Sequence, residues 1–267
     1  MAILYKKFSE NLKLFWEFRE LLKNLVKREI AQRYKQSILG YAWIILNPLF
    51  QLVVMSFVFG VILKVSSLNV PFIIFLSVAL LPWNFFATSL STSSGVLVNS
   101  SSLITKIYFP REILVYANMF AKLIDFALSL LILIVFFLIF KIPFTIYFFW
   151  FIPILIVQII FTTGLSLITS AFNLFYRDIQ YLLNLILILW MYLTPVMYPV
   201  ELIPNKYRFI FKFNPMAVIV NAYRQILLGK SEPNLGSLSI ALFISIFIFI
   251  FGFFIFKKLE GKFADYV

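Results

Sequence analysis

The 267-residue chain contains no cysteine and no histidine, and only 13% of its residues are charged. The absence of cysteine excludes disulfides and thiolate chemistry, and the absence of histidine removes the commonest metal ligand and general base. Most familiar catalytic constellations are therefore excluded. Because an ordinary soluble domain is about a quarter charged, the scarcity of charge also excludes a water-soluble globule.

Apolar residues make up 63% of the chain, which includes 34 Phe and 13 Tyr. A helix that crosses a bilayer needs about 20 mainly apolar residues. Six segments meet this requirement: residues 40–63, 71–91, 113–140, 147–172, 179–200 and 236–256. We therefore expect an all-α polytopic membrane protein, with six transmembrane helices in one domain that covers residues 40–267.

Residues 1–39 form a separate N-terminal segment. Apolar residues recur there every three or four positions from Phe8 to Leu25, with Lys and Arg between them. That spacing is typical of an amphipathic helix. We expect it to lie on the membrane surface as an interface helix.

The chain carries a formal net charge of +12. Nine Lys and Arg lie in residues 1–39, and others fall in the gaps after the second and fourth apolar segments and in the C-terminal tail. Because Lys and Arg concentrate on cytoplasmic segments, both termini are expected to be cytoplasmic. The charge then reflects topology and contact with anionic membrane lipids, and we expect no nucleic-acid partner.

Residues 201–235 are too apolar for a free loop and too charged to span a membrane. We expect two short helices there, over residues 205–213 and 215–228, at the outer membrane interface or re-entrant. The break between them falls at Asn214-Pro215, because a proline disfavours helical backbone in the residue before it.

Charged residues are almost absent from the apolar segments, and the exception is Lys122 with Asp125. Three residues apart on one helix face, they are more typical of a paired charge couple than of ion coupling. The stretch Gly229-Lys230-Ser231 ends like a phosphate-binding loop, but it lacks the first glycine and follows a predicted helix rather than a strand. We expect no nucleotide, cofactor or metal site in this chain.

Amides, hydroxyls and aromatic rings occur inside the apolar segments. Singly, each is more typical of a contact between helices than of a ligand contact. Together they favour a path for a neutral, hydroxylated substrate such as a sugar chain. The candidate channel-lining residues are Gln51, Trp83, Asn84, Trp190 and Tyr192.

Four spaced motifs occur in order along the chain. They are Arg28 with RYKQSILG at 33–40, Trp43 and Asn47-Pro48; FPRE at 109–112; YRD at 176–178; and NPM at 214–216 with Tyr223-Arg224. Their order and spacing resemble the permease subunit of ABC-2 type exporters, specifically the Wzm-type exporters of O-antigen, capsule or teichoic acid polysaccharides. The resemblance covers nearly the whole chain, from about residue 21 onward.

The resemblance implies a homodimer that encloses a channel in the bacterial inner membrane. A separate nucleotide-binding ATPase subunit would bind ATP and Mg, so this chain would not be an enzyme. The cargo would be a lipid-pyrophosphate-linked polysaccharide that leaves the cytoplasm.

The resemblance also assigns roles to the residues of the motifs. The ATPase-docking residues would be Lys106, Phe109, Pro110, Arg111, Glu112, Tyr176, Arg177 and Asp178; the N-terminal interface residues Arg28, Arg33, Tyr34 and Lys35; and the gate residues Asn214, Pro215, Tyr223 and Arg224.

Three alternatives remain open at this point. An ABC-2 exporter of a drug or a lipid would have the same motifs. An ion-coupled secondary transporter would need buried titratable groups or broken helices at mid-bilayer, of which the sequence offers few. A membrane enzyme would be expected to carry paired interfacial carboxylates, and no acidic pair stands out.

Overall fold

The computed structural model describes residues 17–34, 37–67, 70–229 and 231–266. Within these ranges the chain is helical and contains no β-strand. The α-helices are α1 (Arg19–Tyr34), α2 (Trp43–Met55), α3 (Phe72–Ser94), α4 (Val96–Asn99), α5 (Ser101–Lys106), α6 (Glu112–Ile139), α7 (Phe151–Phe175), α8 (Asp178–Leu193), α9 (Asn205–Lys212), α10 (Pro215–Leu227), α11 (Leu235–Leu259) and α12 (Phe263–Tyr266). Single 3-10 turns precede α2 and α7, and α2 continues as a π-helix over Ser56–Ile62.

Five helical stretches in the described part of the chain are long and apolar enough to cross a membrane. They are Gly40–Ile62, Phe72–Ser94, Glu112–Ile139, Ile146–Phe175 and Leu235–Tyr266. Each contains most of one of the predicted segments, and four agree to within a few residues at both ends. The last continues through a 3-10 turn into α12. The protein is therefore a multi-pass membrane protein.

The predicted helix over residues 179–200 is wrong at its C-terminal end. Helix α8 has 16 residues and ends at Leu193, so it is about 24 Å long, against a hydrocarbon core of about 30 Å. Thr194 is extended, as expected for a residue before a proline. Pro195 thus follows the end of the helix, whereas Pro82 lies inside α3, which continues through it.

Helix α3 lies at the centre of the bundle. In its most apolar stretch 78% of the residues are buried, and it contacts α2, α6, α7, α8 and α10. An apolar residue pattern all round a helix is typical of such a buried position. The remaining long helices, α1 and α11, pack against helices that contact α3.

The closest approach of two backbones is between α7 and α11, which make the most extensive helix contact. A Cβ on Gly164 would lie 2.7 Å from the backbone nitrogen and Cα of Phe249. A Cβ on Gly252 would overlap the carbonyl oxygen of Gly164. Small residues at such crossings let membrane helices pack by van der Waals contact.

The apolar stripe of the N-terminal helix packs against protein. Leu25 on α1 is 4% exposed in a cluster with residues of α4, α5 and α6, and Leu21 and Leu22 pack at its edge. The predicted surface-lying stripe, as far as α1 shows it, is thus covered by the helices beside it. Residues 1–16 and Lys35 of the predicted interface segment lie outside the described residues.

The region between the fifth and sixth predicted spans agrees with the sequence analysis. Helices α9 and α10 correspond to the predicted pair, each ending one residue earlier, with the break at Asn214-Pro215. Between the second and third spans the chain forms the two short helices α4 and α5. We call the end of the bundle with α1, α4, α5 and α12 the motor end, and the end with α9 and α10 the gate end.

Candidate functional site: a gate lock, a charged interface cluster and a polar face

The gate end is held together by a buried arginine. Arg224 on α10 is 3% exposed. Its guanidinium donates to the carbonyl oxygens of Pro195 (2.5 Å), Val196 (2.6 Å) and Tyr198 (3.1 Å). These carbonyls belong to the non-helical chain after α8, where no helical partner satisfies them.

Arg224 also stacks on the central helix. Its guanidinium carbon lies 3.8 Å from the centroid of the Phe75 ring on α3, an arrangement in which the ring attracts the cation. No ion pair with a carboxylate is present for Arg224 among the described residues. Carbonyl oxygens and an aromatic face therefore replace a counter-ion. We call Arg224, the three carbonyls and Phe75 the gate lock.

The residue before Arg224 makes a second link from α10 to the core. The Tyr223 hydroxyl is fully buried and donates to Oε1 of Gln158 on α7 (3.2 Å). The Gln158 amide in turn donates to the carbonyl oxygen of Pro82 on α3 (2.8 Å). One hydrogen-bond chain thus joins α10, α7 and α3.

Asn214 joins α8 to the start of α10. Its Oδ1 accepts from the backbone of Met216 and Ala217 as an N-cap and from the indole nitrogen of Trp190 (3.1 Å). Its Nδ2 donates to Thr194 (3.2 Å). Pro215 takes the first helical position, where its missing N–H costs nothing. All four predicted gate residues thus lie on α10 or at its N-cap, where Pro215, Tyr223 and Arg224 are buried and Asn214 is half-buried.

At the motor end, the Lys122–Asp125 pair has a third partner. Lys122 Nζ lies 3.7 Å from Asp125 Oδ2, and Arg33 of α1 donates to the same oxygen at 2.5 Å. Side-chain exposures of 20% or less for all three make these ion pairs partly desolvated. Arg33 belongs to the predicted interface residues, and its bond to Asp125 was not predicted.

Asn118 connects this charged cluster to α3. Its Oδ1 lies 3.5 Å from Arg33 Nη2, while its Nδ2 donates to Ser93 Oγ (2.7 Å) and Thr92 Oγ1 (3.0 Å). Asn118 is 1% exposed. We call Arg33, Lys122, Asp125 and Asn118 the interface cluster. It ties α1 to both α6 and the C-terminal half of α3.

The predicted docking residues Arg111 and Glu112 are engaged within the protein. Lys257 of α11 bridges Glu112 (2.7 Å) and Glu260 (2.9 Å), and Glu260 accepts from the Arg111 backbone (2.9 Å). The Glu112 side chain is only 6% exposed. These residues fasten the start of α6 to the end of α11.

Other side chains at the motor end are exposed to solvent. Phe109 is buried at 2%, Pro110 is half-buried and Lys106 is exposed. Tyr108 is 87% exposed, with the Arg111 guanidinium 5.6 Å from its ring. Tyr108 was not among the predicted docking residues, because the FPRE motif begins one residue after it. Tyr176 (67% exposed), Arg177 and Asp178 form a second exposed group at the start of α8.

Two more interface residues were predicted. Arg28 on α1 donates to Ser100 Oγ in the turn between α4 and α5 (3.1 Å), so it ties α1 to the segment before the docking motif. Tyr34 ends α1.

An uncharged polar face runs along α3. Asn84, Thr88 and Ser91 are spaced four and three residues apart, so they share one side of the helix. Asn84 donates to Gln51 on α2 (2.8 Å), and Ser91 donates to Asn184 on α8 (2.7 Å). Thr88 and Asn184 are exposed. We call these five residues the polar face.

Tyr192, another candidate lining residue, is 56% exposed on α8. The two tryptophans have other surroundings. Trp83 is 3% exposed in the core against Phe86, and Trp190 meets Phe86 edge-on while it donates to Asn214. Neither indole therefore belongs to the polar face, because both rings pack against other side chains within the chain.

The part of the chain that the structure describes has no group of three or more acidic, His or Cys residues that would hold a metal ion. The stretch that ends like a phosphate-binding loop follows α10. Its Gly229 lies in the turn after that helix, where the Gly229 N–H donates to the Arg224 carbonyl oxygen. That is the geometry of a helix C-terminus.

The chain is similar to known membrane transport proteins. The ABC-2 type transporter profile matches residues 20–228. The chain is 31% identical over 92% of its length to a Klebsiella pneumoniae protein named O-antigen export system permease protein RfbA, of which 94% is covered. It is 30% identical to a Myxococcus xanthus protein of the same name, with 94% and 96% covered. It is 23% identical to the Escherichia coli polysialic acid transport protein KpsM, with 85% and 88% covered. The chain belongs to the ABC-2 type transporter family.

Proposed function

We propose that this chain is the membrane-spanning subunit of an ATP-driven exporter that moves a lipid-linked, O-antigen-like polysaccharide out of the cytoplasm across the bacterial inner membrane. Relatives named O-antigen export permeases match almost end to end. The observation that carries the proposal is the polar face. Its amides and hydroxyls bear no charge and stand partly exposed in the middle of otherwise apolar helices.

The polar face supports a homodimer. In one subunit, only 11% of the most apolar stretch of α2 is buried, and α8 buries little beyond Leu183 and Leu187. Amides and hydroxyls exposed to lipid cost free energy, because hydrocarbon offers them no hydrogen bonds. A second copy that packs along α2 and α8 would cover the apolar surface and enclose the polar face as a path.

The gate lock supports a sixth membrane crossing. Helix α8 alone is too short to span, and non-helical backbone at membrane depth is tolerated only where protein satisfies it. Arg224 donates hydrogen bonds to three carbonyl oxygens of the chain from Pro195 to Tyr198. With six crossings, both termini lie in the cytoplasm, and α9 and α10 form the outer gate.

Energy would come from a separate ATPase subunit, and this chain would be non-catalytic. The exposed Tyr108 and the group Tyr176–Asp178 are the protrusions that fit a partner's groove at the motor end. Arg111 and Glu112 would then position the docking turn rather than touch the partner. Movement of the ATPase would be transmitted to α6 through Lys257 and Glu260.

The path is tested by cysteine scanning. Because the chain has no native cysteine, only the introduced cysteine of this chain can react with a thiol reagent. We expect Asn84→Cys and Asn184→Cys to react in whole cells with a small charged thiol reagent when the ATPase partner hydrolyses ATP. The matched control is Phe247→Cys, on an exposed apolar position of α11. Equal, slow reaction at all three positions would contradict a water-filled path along the polar face.

The motor is tested by co-purification. With its ATPase partner, the permease should elute as a complex whose ATP hydrolysis responds to lipid-linked polysaccharide. Tyr108→Ala and Asp178→Ala should lower coupled hydrolysis and export while membrane insertion stays intact. ATP binding by this chain alone, or export driven by a proton gradient without a partner, would overturn the proposal in favour of a different transporter class.

A further inference from the structure

A pocket at the gate end is distinct from the polar face. It encloses about 180 Å³ between α9, α10, the chain after α8 and the start of α11. Its floor is apolar and its rim is polar. The apolar lining includes Pro195, Val200, Phe211 and Val218, and the polar lining includes Arg208, Lys212, Asn221, Gln225 and Asn234.

The rim carries two positive charges and no negative one. Arg208 donates to the carbonyl oxygens of Glu201 and Ile203 (2.9 Å each), which fixes its guanidinium and leaves other N–H groups free. Lys212 makes no ion pair with any carboxylate that the structure describes. The Asn221 amide likewise has no hydrogen-bond partner among the described residues. Such donors match the oxygens of a phosphate group.

Helix α9, which forms one wall, has the character of an interfacial helix. It exposes Tyr207, Phe209 and Ile210 by half to two-thirds, together with three cationic side chains. A helix that presents both aromatic and cationic residues lies where acyl chains meet headgroups. The pocket therefore opens at the level where lipid phosphates are found.

We propose that this pocket binds the phosphate headgroup of an anionic phospholipid, with Arg208 and Lys212 on the phosphate, Asn221 and Gln225 on the glycerol oxygens, and the apolar floor under the first acyl carbons. A free phosphate ion would gain nothing from that floor. Because the gate lock and the pocket share the chain after α8, a bound lipid stabilises the gate lock. The site needs neither the ATPase nor the polysaccharide.

The probe is phosphatidylglycerol bound to the purified full-length permease in phosphatidylcholine nanodiscs. Retained phosphatidylglycerol is counted by native mass spectrometry as its fraction is raised. Each cation near an anionic headgroup contributes about fivefold in affinity. We expect Lys212→Gln to weaken retention about fivefold and Arg208→Gln at least as much. Asn221→Leu, which fills the pocket without changing charge, should abolish the specific component.

The matched control is Lys206→Gln, a cation of the same helix that does not line the pocket. Its retention should stay within a factor of two of wild type. Equal weakening by Lys206→Gln and Lys212→Gln would mean general attraction to the surface and would overturn the site. A polyprenyl phosphate that binds while phosphatidylglycerol does not would assign the pocket to the lipid carrier of the cargo and overturn the phospholipid assignment. Neither result depends on whether the protein exports polysaccharide.

Discussion

Replacing Arg224 by Met tests whether the gate lock holds the non-helical end of α8. The substitution keeps an unbranched apolar stem and removes three hydrogen bonds to the carbonyls of Pro195, Val196 and Tyr198. Hydrogen bonds to charged groups contribute about 1.5–3 kcal/mol each, and together these contribute about 4–9 kcal/mol. The variant also avoids the several kcal/mol that burial of an ion costs. We expect a net loss of about 3 kcal/mol in the free energy of unfolding.

A second variant separates the shape of the guanidinium from its charge. Arg224→Lys keeps the cation, but a lysine ammonium lacks the planar fork that reaches carbonyls on two sides. We expect it to recover less than half of the lost stability. A double-mutant cycle with Phe75→Leu then isolates the contact between ring and cation, for which about 2 kcal/mol is expected at a desolvated site.

The measurement is thermal unfolding of the purified permease in detergent, followed by tryptophan fluorescence. A loss of 3 kcal/mol corresponds to an apparent unfolding temperature lower by roughly 6–12 °C. Lys206→Met, which removes an exposed cation of α9 outside the pocket, serves as the control and should change stability by less than about 0.5 kcal/mol. If Arg224→Met unfolds at the same temperature as this control, the three carbonyls do not depend on Arg224 and the gate lock is refuted.

Three further substitutions test the packing of the bundle by the same unfolding assay. Gly164→Ala should destabilise the protein by about 1–3 kcal/mol because a Cβ overlaps the facing backbone, while Gly261→Ala, with open space around it, should have no effect; equal values would contradict the close crossing. Lys257→Met leaves the Glu112 carboxylate buried without its cation, so a loss of about 3–5 kcal/mol is expected, and adding Glu112→Gln should restore most of it. Tyr223→Phe removes one buried hydroxyl and should cost about 0.5–1.5 kcal/mol; a larger loss would point to a role beyond the bond to α7.

Local patterns allowed the gate end to be predicted from the sequence. The apolar but charged character of residues 201–235 predicted two short helices, and Asn214-Pro215 gave the break between them because N-capping and proline are properties of adjacent residues. The hydrogen-bond partners of Arg224 could not be predicted. Its three acceptors lie 26 to 29 residues away, and nothing in their side chains marks a carbonyl that lacks a partner.

The interface cluster divides in the same way between local and distant contacts. Lys122 and Asp125 are three residues apart on one helix, so the sequence predicted their pairing. Arg33 lies 92 residues from Asp125, and only the position of α1 against α6 brings them together. An acidic residue inside a span was the available signal, since it requires cations close by.

Side-chain type did not predict which aromatic residues are exposed. Trp83 and Asn84 are neighbours in sequence and point to different sides of α3, so one is buried and the other belongs to the polar face. The spacing of Asn84, Thr88 and Ser91 predicts a common face, and this periodicity was a better guide to a path than aromatic character. A stacking ring such as Trp190 serves the core as well as it would serve a sugar.

Both buried networks end on α3, and this gives the central helix a mechanical role. At the motor end, Asn118 joins Arg33 to Thr92 and Ser93 of α3. At the gate end, Phe75 supports the guanidinium of Arg224. The 17 helical steps from Phe75 to Thr92 span roughly 25 Å at a rise of 1.5 Å per residue. Because most of α3 is buried and it contacts five other helices, we expect it to move together with its neighbours. A displacement of α1 would then reach the gate end through α3.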